Sequence, residues 1–226
     1  MSNDVVRLCI GIPSMNTWDA DFGLDLAFMT AYLSSPLPDG KYVHLSIQSK
    51  RGSMLANMRE QMIQKALDEH YHYFLFIDTD QTFPHDLFHR LYMRQKQVVA
   101  CNVATKSIPA WPTARLKGDT MAGNPVFTGP DDDELLQVWR IGTGIMLINL
   151  NVFKREGMDH PWFAPKWNPE LQDFSGEDWG FCEKLENCGV KIYCDQDLSR
   201  EIGHVGKFEY KHKHVVKGKD ILKDAV

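Results

Sequence analysis

Apolar residues run almost without a break from Val5 to Ile12, the pattern of a strand covered on both faces, and Pro13-Ser14 ends it. From Trp18 to Leu33 the pattern changes period: Phe22, Leu26, Met29 and Leu33 fall at helical spacing, closed by Pro36 and Gly40. Tyr42 to Ile47 alternates as a strand. Ser53 then opens a helix in which Met54, Leu55, Met58, Met62, Ile63, Ala66 and Leu67 recur every three and four positions. Tyr73 to Ile77 is again wholly apolar and leads straight into Asp78-Thr79-Asp80, and Pro84 suits the first turn of a helix carrying Leu87, Phe88 and Leu91. Alternating strands and helices of this kind predict an α/β fold, a mostly parallel central sheet with right-handed crossovers and helices on both faces.

Val98 to Val103 supplies a fourth strand. Four prolines and three glycines between Ala104 and Pro130 predict a loop with at most a short irregular strand, and Asp131 to Glu134 a solvated turn. Regular structure resumes over Val138 to Asn149 and Val152 to Glu156, and a Pro/Trp-rich loop spans Pro161 to Pro169. Ser175 to Asn187 is a predicted helix with Phe181, Cys182 and Leu185 inward, followed by a strand over Val190 to Cys194. From Lys207 onward the chain is basic and sparsely apolar, which predicts a solvated tail or a lid. No internal repeat is visible.

At 226 residues the chain is long enough for one large domain with an ample core. Its composition, 43% hydrophobic and 24% charged, is ordinary for a globular protein. A net charge of −5 argues against nonspecific grip on nucleic acid or anionic lipid as the main activity. Cys9, Cys101, Cys182, Cys188 and Cys194 cannot all pair and form no C-x-x-C, so reduced thiols are expected. With no signal-peptide pattern and no apolar run of membrane-spanning length, the expected location is cytoplasmic.

Three features carry candidate chemistry. Asp78 and Asp80 stand one residue apart at the carboxyl end of a strand, where open sheets bind ligands. Such a pair either solvates a turn or shares a hard cation, Mg²⁺ or Mn²⁺, completed by substrate phosphates. Ser175-Gly176-Glu177-Asp178-Trp179 has the spacing of a capping box between Ser175 and Asp178, but also forms an acidic, aromatic rim suited to sugar hydroxyls. His204, between Gly203 and Gly206, adds an imidazole where glycines would let backbone approach a ligand.

In their order these segments resemble family-2-like glycosyltransferases of the GT-A fold, of the small single-domain bacterial and phage kind. Arg51 through Arg59 resembles that family's helix start, Phe74 through Asp80 its D-x-D strand, and Val99 to Lys106 the strand and lysine that follow. Gly142-Thr143-Gly144 to Phe153 resembles its T-G-x-M-L-I segment, Glu177 through Cys182 its E-D-x-x-F-C helix, and His204-Val205-Gly206 its closing histidine. The resemblance implies a single domain over residues 1–206, nucleotide-binding over 1–103 and acceptor-binding over 104–206, with 207–226 as tail or lid. It implies a UDP- or GDP-sugar donor held by Pro13, Ser14, Met15, Arg51, Arg59, Asp78, Thr79, Asp80 and Lys106. Asp80 and His204, with Asp78 directly or through water, would ligate Mn²⁺ or Mg²⁺. Glu177, Trp179, Thr143 and Gly144 would orient the acceptor, which is a glycan, a small molecule or a modified nucleic acid, and Asp178 would be the base of an inverting transfer. A nucleotidyltransferase and a noncatalytic sugar-nucleotide-binding module are the alternatives; the former wants a Gly- and Arg-rich phosphate loop after the first strand, where Gly11-Ile12-Pro13-Ser14-Met15 stands instead.

Overall fold

A computed structural model of the chain describes residues 4–120, 122–170, 172–206 and 209–215. In chain order they form β1 (Val5–Ser14), α1 (Ala20–Tyr32), β2 (Tyr42–Arg51), α2 (Leu55–Asp68), β3 (Tyr73–Ile77), β4 (Gln81–Thr82), α3 (Leu87–Met93) and β5 (Val98–Ala100). There follow β6 (Arg115–Leu116), β7 (Asn124–Pro125), β8 (Leu135–Val138), β9 (Ile145–Asn149) and a 3₁₀ turn over Leu150–Lys154. The rest comprises β10 (Lys166–Asn168), β11 (Asp173–Ser175), α4 (Glu177–Asn187), β12 (Ile192–Asp195), α5 (Gln196–Glu201), β13 (Gly203–Val205), β14 (Glu209–Tyr210) and a 3₁₀ turn over His212–His214. No described helix is long and apolar enough to cross a membrane.

Seven strands make the central sheet, in the order β2-β1-β3-β9-β5-β12-β8. The two faces of β3 are covered by different elements, which is why its sequence is apolar throughout. Phe74 and Phe76 pack with Met62, Ile63 and Ala66 of α2 and with Phe181, Cys182 and Leu185 of α4. Leu75 and Ile77 point the other way, toward Phe22, Leu26 and Met29 of α1 and Leu87, Phe88 and Leu91 of α3. The predicted α/β layering is present, and β1, β2, β3, β5 and β12 run in one direction.

The sheet is not parallel throughout. β9 inserts between β3 and β5 antiparallel to both, and β8 pairs antiparallel with β12 at the edge. The expected continuous element over Val138 to Asn149 is therefore two strands, separated where Gly142-Thr143-Gly144 passes the end of β3. The regular structure expected over Val152 to Glu156 is a 3₁₀ turn over Leu150–Lys154. Helix α2 begins at Leu55, not Ser53, because β2 extends to Arg51 and the Gly52 N–H is still bonded to the Ser14 carbonyl at 3.1 Å. All five cysteines are free, with Cys188 partly exposed and the others buried.

The segment after Gly206 departs most from expectation. Over 209–215 it is folded onto the body: β14 pairs with β13, Tyr210 is buried, and the imidazole Nε2 of buried His212 hydrogen-bonds the Asn102 carbonyl. Lys207 and the lysines at 217, 219 and 223 lie outside the described residues.

Candidate active site

β3 delivers Asp78 to the open end of the sheet, and Arg59 meets it there from α2. The Arg59 guanidinium is 2% exposed and bridges two carboxylates: Nη2 donates to Asp78 at 2.9 and 3.3 Å, and Nη1 donates to Glu177 at 2.8 Å. The guanidinium also lies over the Phe76 ring, 5.5 Å from its centroid. Burial pushes the Asp78 carboxyl above its ordinary range, and the Arg59 charge opposes that rise. An arginine so enclosed is tolerated because each carboxylate takes one end of its fork.

Asp80, two residues on, belongs to a second cluster. The short sheet β14-β13-β4 fixes it: Gln81 pairs with His204, and the Val205 N–H donates to the Asp80 carbonyl at 2.7 Å. One carboxylate oxygen lies 3.5 Å from His204 Nε2 and accepts from Gln81 Nε2 at 3.3 Å; the other accepts from Lys106 Nζ at 2.5 Å. Burial would raise this carboxyl, but His204 and Lys106 outweigh it and hold Asp80 well below the usual carboxylate range. His204 Nδ1 lies 2.8 Å from the Ala104 carbonyl, which can only accept. Nδ1 therefore carries the proton, and Nε2 is the nitrogen turned toward Asp80.

Asp178 lies in the first turn of α4, beside Glu177. Burial, followed by the neighbouring Glu177 charge, pushes its carboxyl up to about 6. The predicted capping box does not form. Gly176 is the N-cap residue and makes no side-chain bond, while Ser175 Oγ bonds both the N–H and the carbonyl of Lys166 across the β10–β11 hairpin. The hairpin thus claims the serine, and among the described residues Asp178 accepts only from the adjacent Trp179 N–H, at 2.7 Å. Gly180 is required here: a Cβ would sit 2.0 Å from the Ala164 carbonyl oxygen, so only glycine lets the 161–165 segment lie against α4.

No protein-family model matches the sequence, and no curated protein does. Among solved structures, A197 from STIV superposes with a TM-score of 0.57 at 17% identity, over 89% of this chain and 86% of that one. The chain shares the fold of that protein. Drosophila β1,4-galactosyltransferase 7, in a mutant complexed with manganese, UDP-Gal and xylobiose, gives a TM-score of 0.48 at 15% identity, over 98% of this chain and 75% of that one. S. aureus TarS 1–349 in complex with UDP-GlcNAc gives 0.44 at 11% identity, over 85% of this chain and 56% of that one.

On this fold the expected residues divide into groups. Asp78, Arg59, Glu177 and Asp178 meet on one side of the strand end; Asp80, Lys106 and His204 meet on the other. Pro13 and Ser14 close β1 opposite Lys50 and Arg51 of β2, and the loop beyond them is tied to the same turn by the Asp19 N–H donating to the Thr79 carbonyl at 3.0 Å. Met15 projects into solvent. Thr143 is 1% exposed, and its hydroxyl has no hydrogen-bond partner among the described residues. Trp179 has one ring neighbour already, since the Arg140 guanidinium lies 4.9 Å from it and 3.9 Å from Trp139.

Several expected roles change with the geometry. Arg59, expected on the donor, has both ends of its fork committed inside the protein. Asp78, expected on the metal, has both oxygens on Arg59. Gly203, expected to admit a ligand, instead admits Glu209 and Thr82, which a Cβ would meet at 2.2 and 2.3 Å. Gln81 and the Ala104 carbonyl, which orient Asp80 and His204, were not legible; adjacency to the D-x-D was the available signal for Gln81.

A divalent cation fits the second cluster. Among the described residues no group of three or more acidic, His or Cys side chains converges. Asp80 and His204 offer one oxygen and one nitrogen at a separation suited to a shared ion, and the remaining positions would fall to phosphates and water, as Mg²⁺ sites commonly arrange.

Proposed function

We propose that the protein is a metal-dependent glycosyltransferase that moves a sugar from a nucleoside-diphosphate sugar to an acceptor hydroxyl with inversion. The observation that carries this reading is Asp178: a carboxylate titrating near 6, at the open end of the sheet, joined through Glu177 and Arg59 to the strand end that bears Asp80. A base with that pKa is ionised at neutral pH yet basic enough to accept a proton in the transition state.

Donor binding falls to the nucleotide half, residues 1–103, with the β1 end, Arg51 and Thr79 lining the base and ribose and Lys106 facing the diphosphate. When bound, a cation held by Asp80 and His204 supplies Lewis-acid neutralisation of the diphosphate. Asp178 takes the proton of the acceptor hydroxyl as its oxygen forms a bond to the anomeric carbon. The bond from that carbon to phosphate oxygen breaks, and the electron pair leaves with the nucleoside diphosphate. Glu177 fixes the helix end that aims Asp178, and Thr143, Gly144 and Trp179 border the acceptor side, within 104–206. Arg59 serves as the link between these halves.

The test is a panel of UDP- and GDP-sugars with Mn²⁺, followed by release of nucleoside diphosphate and by NMR of the transferred anomeric centre. Slow donor hydrolysis and an inverted product are expected. A panel that yields no hydrolysis and no thermal stabilisation overturns the transferase; release of pyrophosphate from a nucleoside triphosphate would assign a nucleotidyltransferase; a retained anomer overturns the role of Asp178.

A further inference from the structure

The β10–β11 hairpin exposes two large aromatic rings beside the acceptor side of the site. Trp167 and Phe174 are direct cross-strand partners, so their side chains share one face of the hairpin. They are 51% and 63% exposed, with ring centroids 5.3 Å apart and planes at 74°. Both lie outside the buried core, and together they present the kind of contiguous exposed apolar surface that marks interaction sites.

The pair is held rigidly to the candidate base. Ser175 Oγ ties the two strands together, and Lys166 Nζ donates to Glu183 of α4 at 2.6 Å. β11 runs directly into Gly176 and the first turn of α4. At about 3.3 Å per extended residue, Phe174 stands roughly 10 Å along the chain from that turn. That path is the upper bound on the separation, so the rings stay within reach of the next units of a chain whose terminal sugar reacts at Asp178.

Charge selects among acceptors. Around the hairpin, Glu170, Asp173, Glu177, Asp178 and Glu183 still outnumber the cations that meet them, Lys166 on Glu183, Arg59 on Glu177 and Arg140 over Trp179. An acidic surround repels a polyanion, whereas a neutral sugar ring places its C–H face on an indole and its hydroxyls on flanking polar groups. Resting on the transferase reading of the neighbouring site, we infer that this hairpin is an acceptor platform for neutral oligosaccharide chains.

The test uses the full chain on a printed array of neutral oligosaccharides, with single-stranded DNA as the polyanion arm. A subset of neutral glycans should retain the protein. Trp167→Ala should cut that retention at least tenfold and Trp167→Tyr should keep most of it, with thermal melts showing that both variants fold. Donor hydrolysis by water, with nucleotide sugar and Mn²⁺, should be the same in both variants as in the wild type. Retention by no neutral glycan, retention untouched by both Trp167→Ala and Phe174→Ala, or preference for DNA overturns the platform. Absent donor hydrolysis in the wild type strikes the transferase reading instead, so the two failures are distinguishable.

Discussion

Replacing Asp178 by Asn should make the protein more stable at neutral pH while nearly abolishing turnover. In the folded chain the carboxyl titrates near 6 against an ordinary 3.8, because burial and Glu177 disfavour its charge. The folded state therefore holds this proton more tightly than the unfolded chain does. As pH rises from about 4 to about 6, the folded state must give up a proton that the unfolded state has already lost, so stability falls over that window. The displacement corresponds to about 3 kcal/mol at most, and partial solvent access reduces it to about 1–3 kcal/mol at pH 7. For a chain of this size that is roughly 2–10 °C in Tm. The assay is thermal unfolding of wild type and Asp178→Asn from pH 3.5 to 8. The variant should gain its advantage between pH 4 and 6 and hold it above. Its transfer rate should be on the order of a hundredfold lower or worse, while wild-type kcat/KM rises with pH and levels off above about pH 6. A stability difference independent of pH, or a variant less stable at pH 8, would refute the assignment of strain to this carboxylate. Unaltered turnover would refute its role as base.

Other outcomes follow from the same geometry. Arg59→Met leaves two carboxylates facing each other without their shared cation and should cost about 3–5 kcal/mol in urea unfolding. Substituting His204 or Asp80 by Ala should abolish Mn²⁺-dependent donor binding in calorimetric titration without unfolding the domain. Lys106→Met removes the chain's own cation from Asp80, so Mn²⁺ should bind the donor-free protein several-fold more tightly; weaker Mn²⁺ binding would show that the lysine helps to form the site. Gly180→Ala, which drives a methyl into the Ala164 carbonyl, should lower Tm markedly, whereas Gly23→Ala, with open space around it, should not.

The strands buried on both faces were legible because β3 is apolar throughout and β1 nearly so, broken by Arg7, and the helices because the buried residues of α1, α2 and α4 recur at helical spacing, although α1 also exposes Leu24 and Phe28. Strand direction was not legible. Nothing in Ile145-Met146-Leu147-Ile148 distinguishes a strand antiparallel to both neighbours from one that continues a parallel series, since either arrangement wants the same buried surface. The site shows a similar division. Asp78, Asp80, Asp178 and His204 announce themselves by residue type and position at strand and helix ends. Their partners are set by tertiary contact, as when Ser175 is drawn from a helix cap to a hairpin or Ala104 offers a carbonyl to a histidine 100 residues away. The basic composition after Gly206 likewise concealed that Tyr210 and His212 are buried.

The bridge made by Arg59 sets a rule for recombining this domain with others of its fold. A crossover anywhere between residues 60 and 176 parts the arginine from Glu177, so a chimaera inherits a buried guanidinium from one parent and must find its carboxylate in the other. The segments on either side of the crossover can then be exchanged only between parents that both keep this pair, which makes one ion contact the gatekeeper of modular redesign.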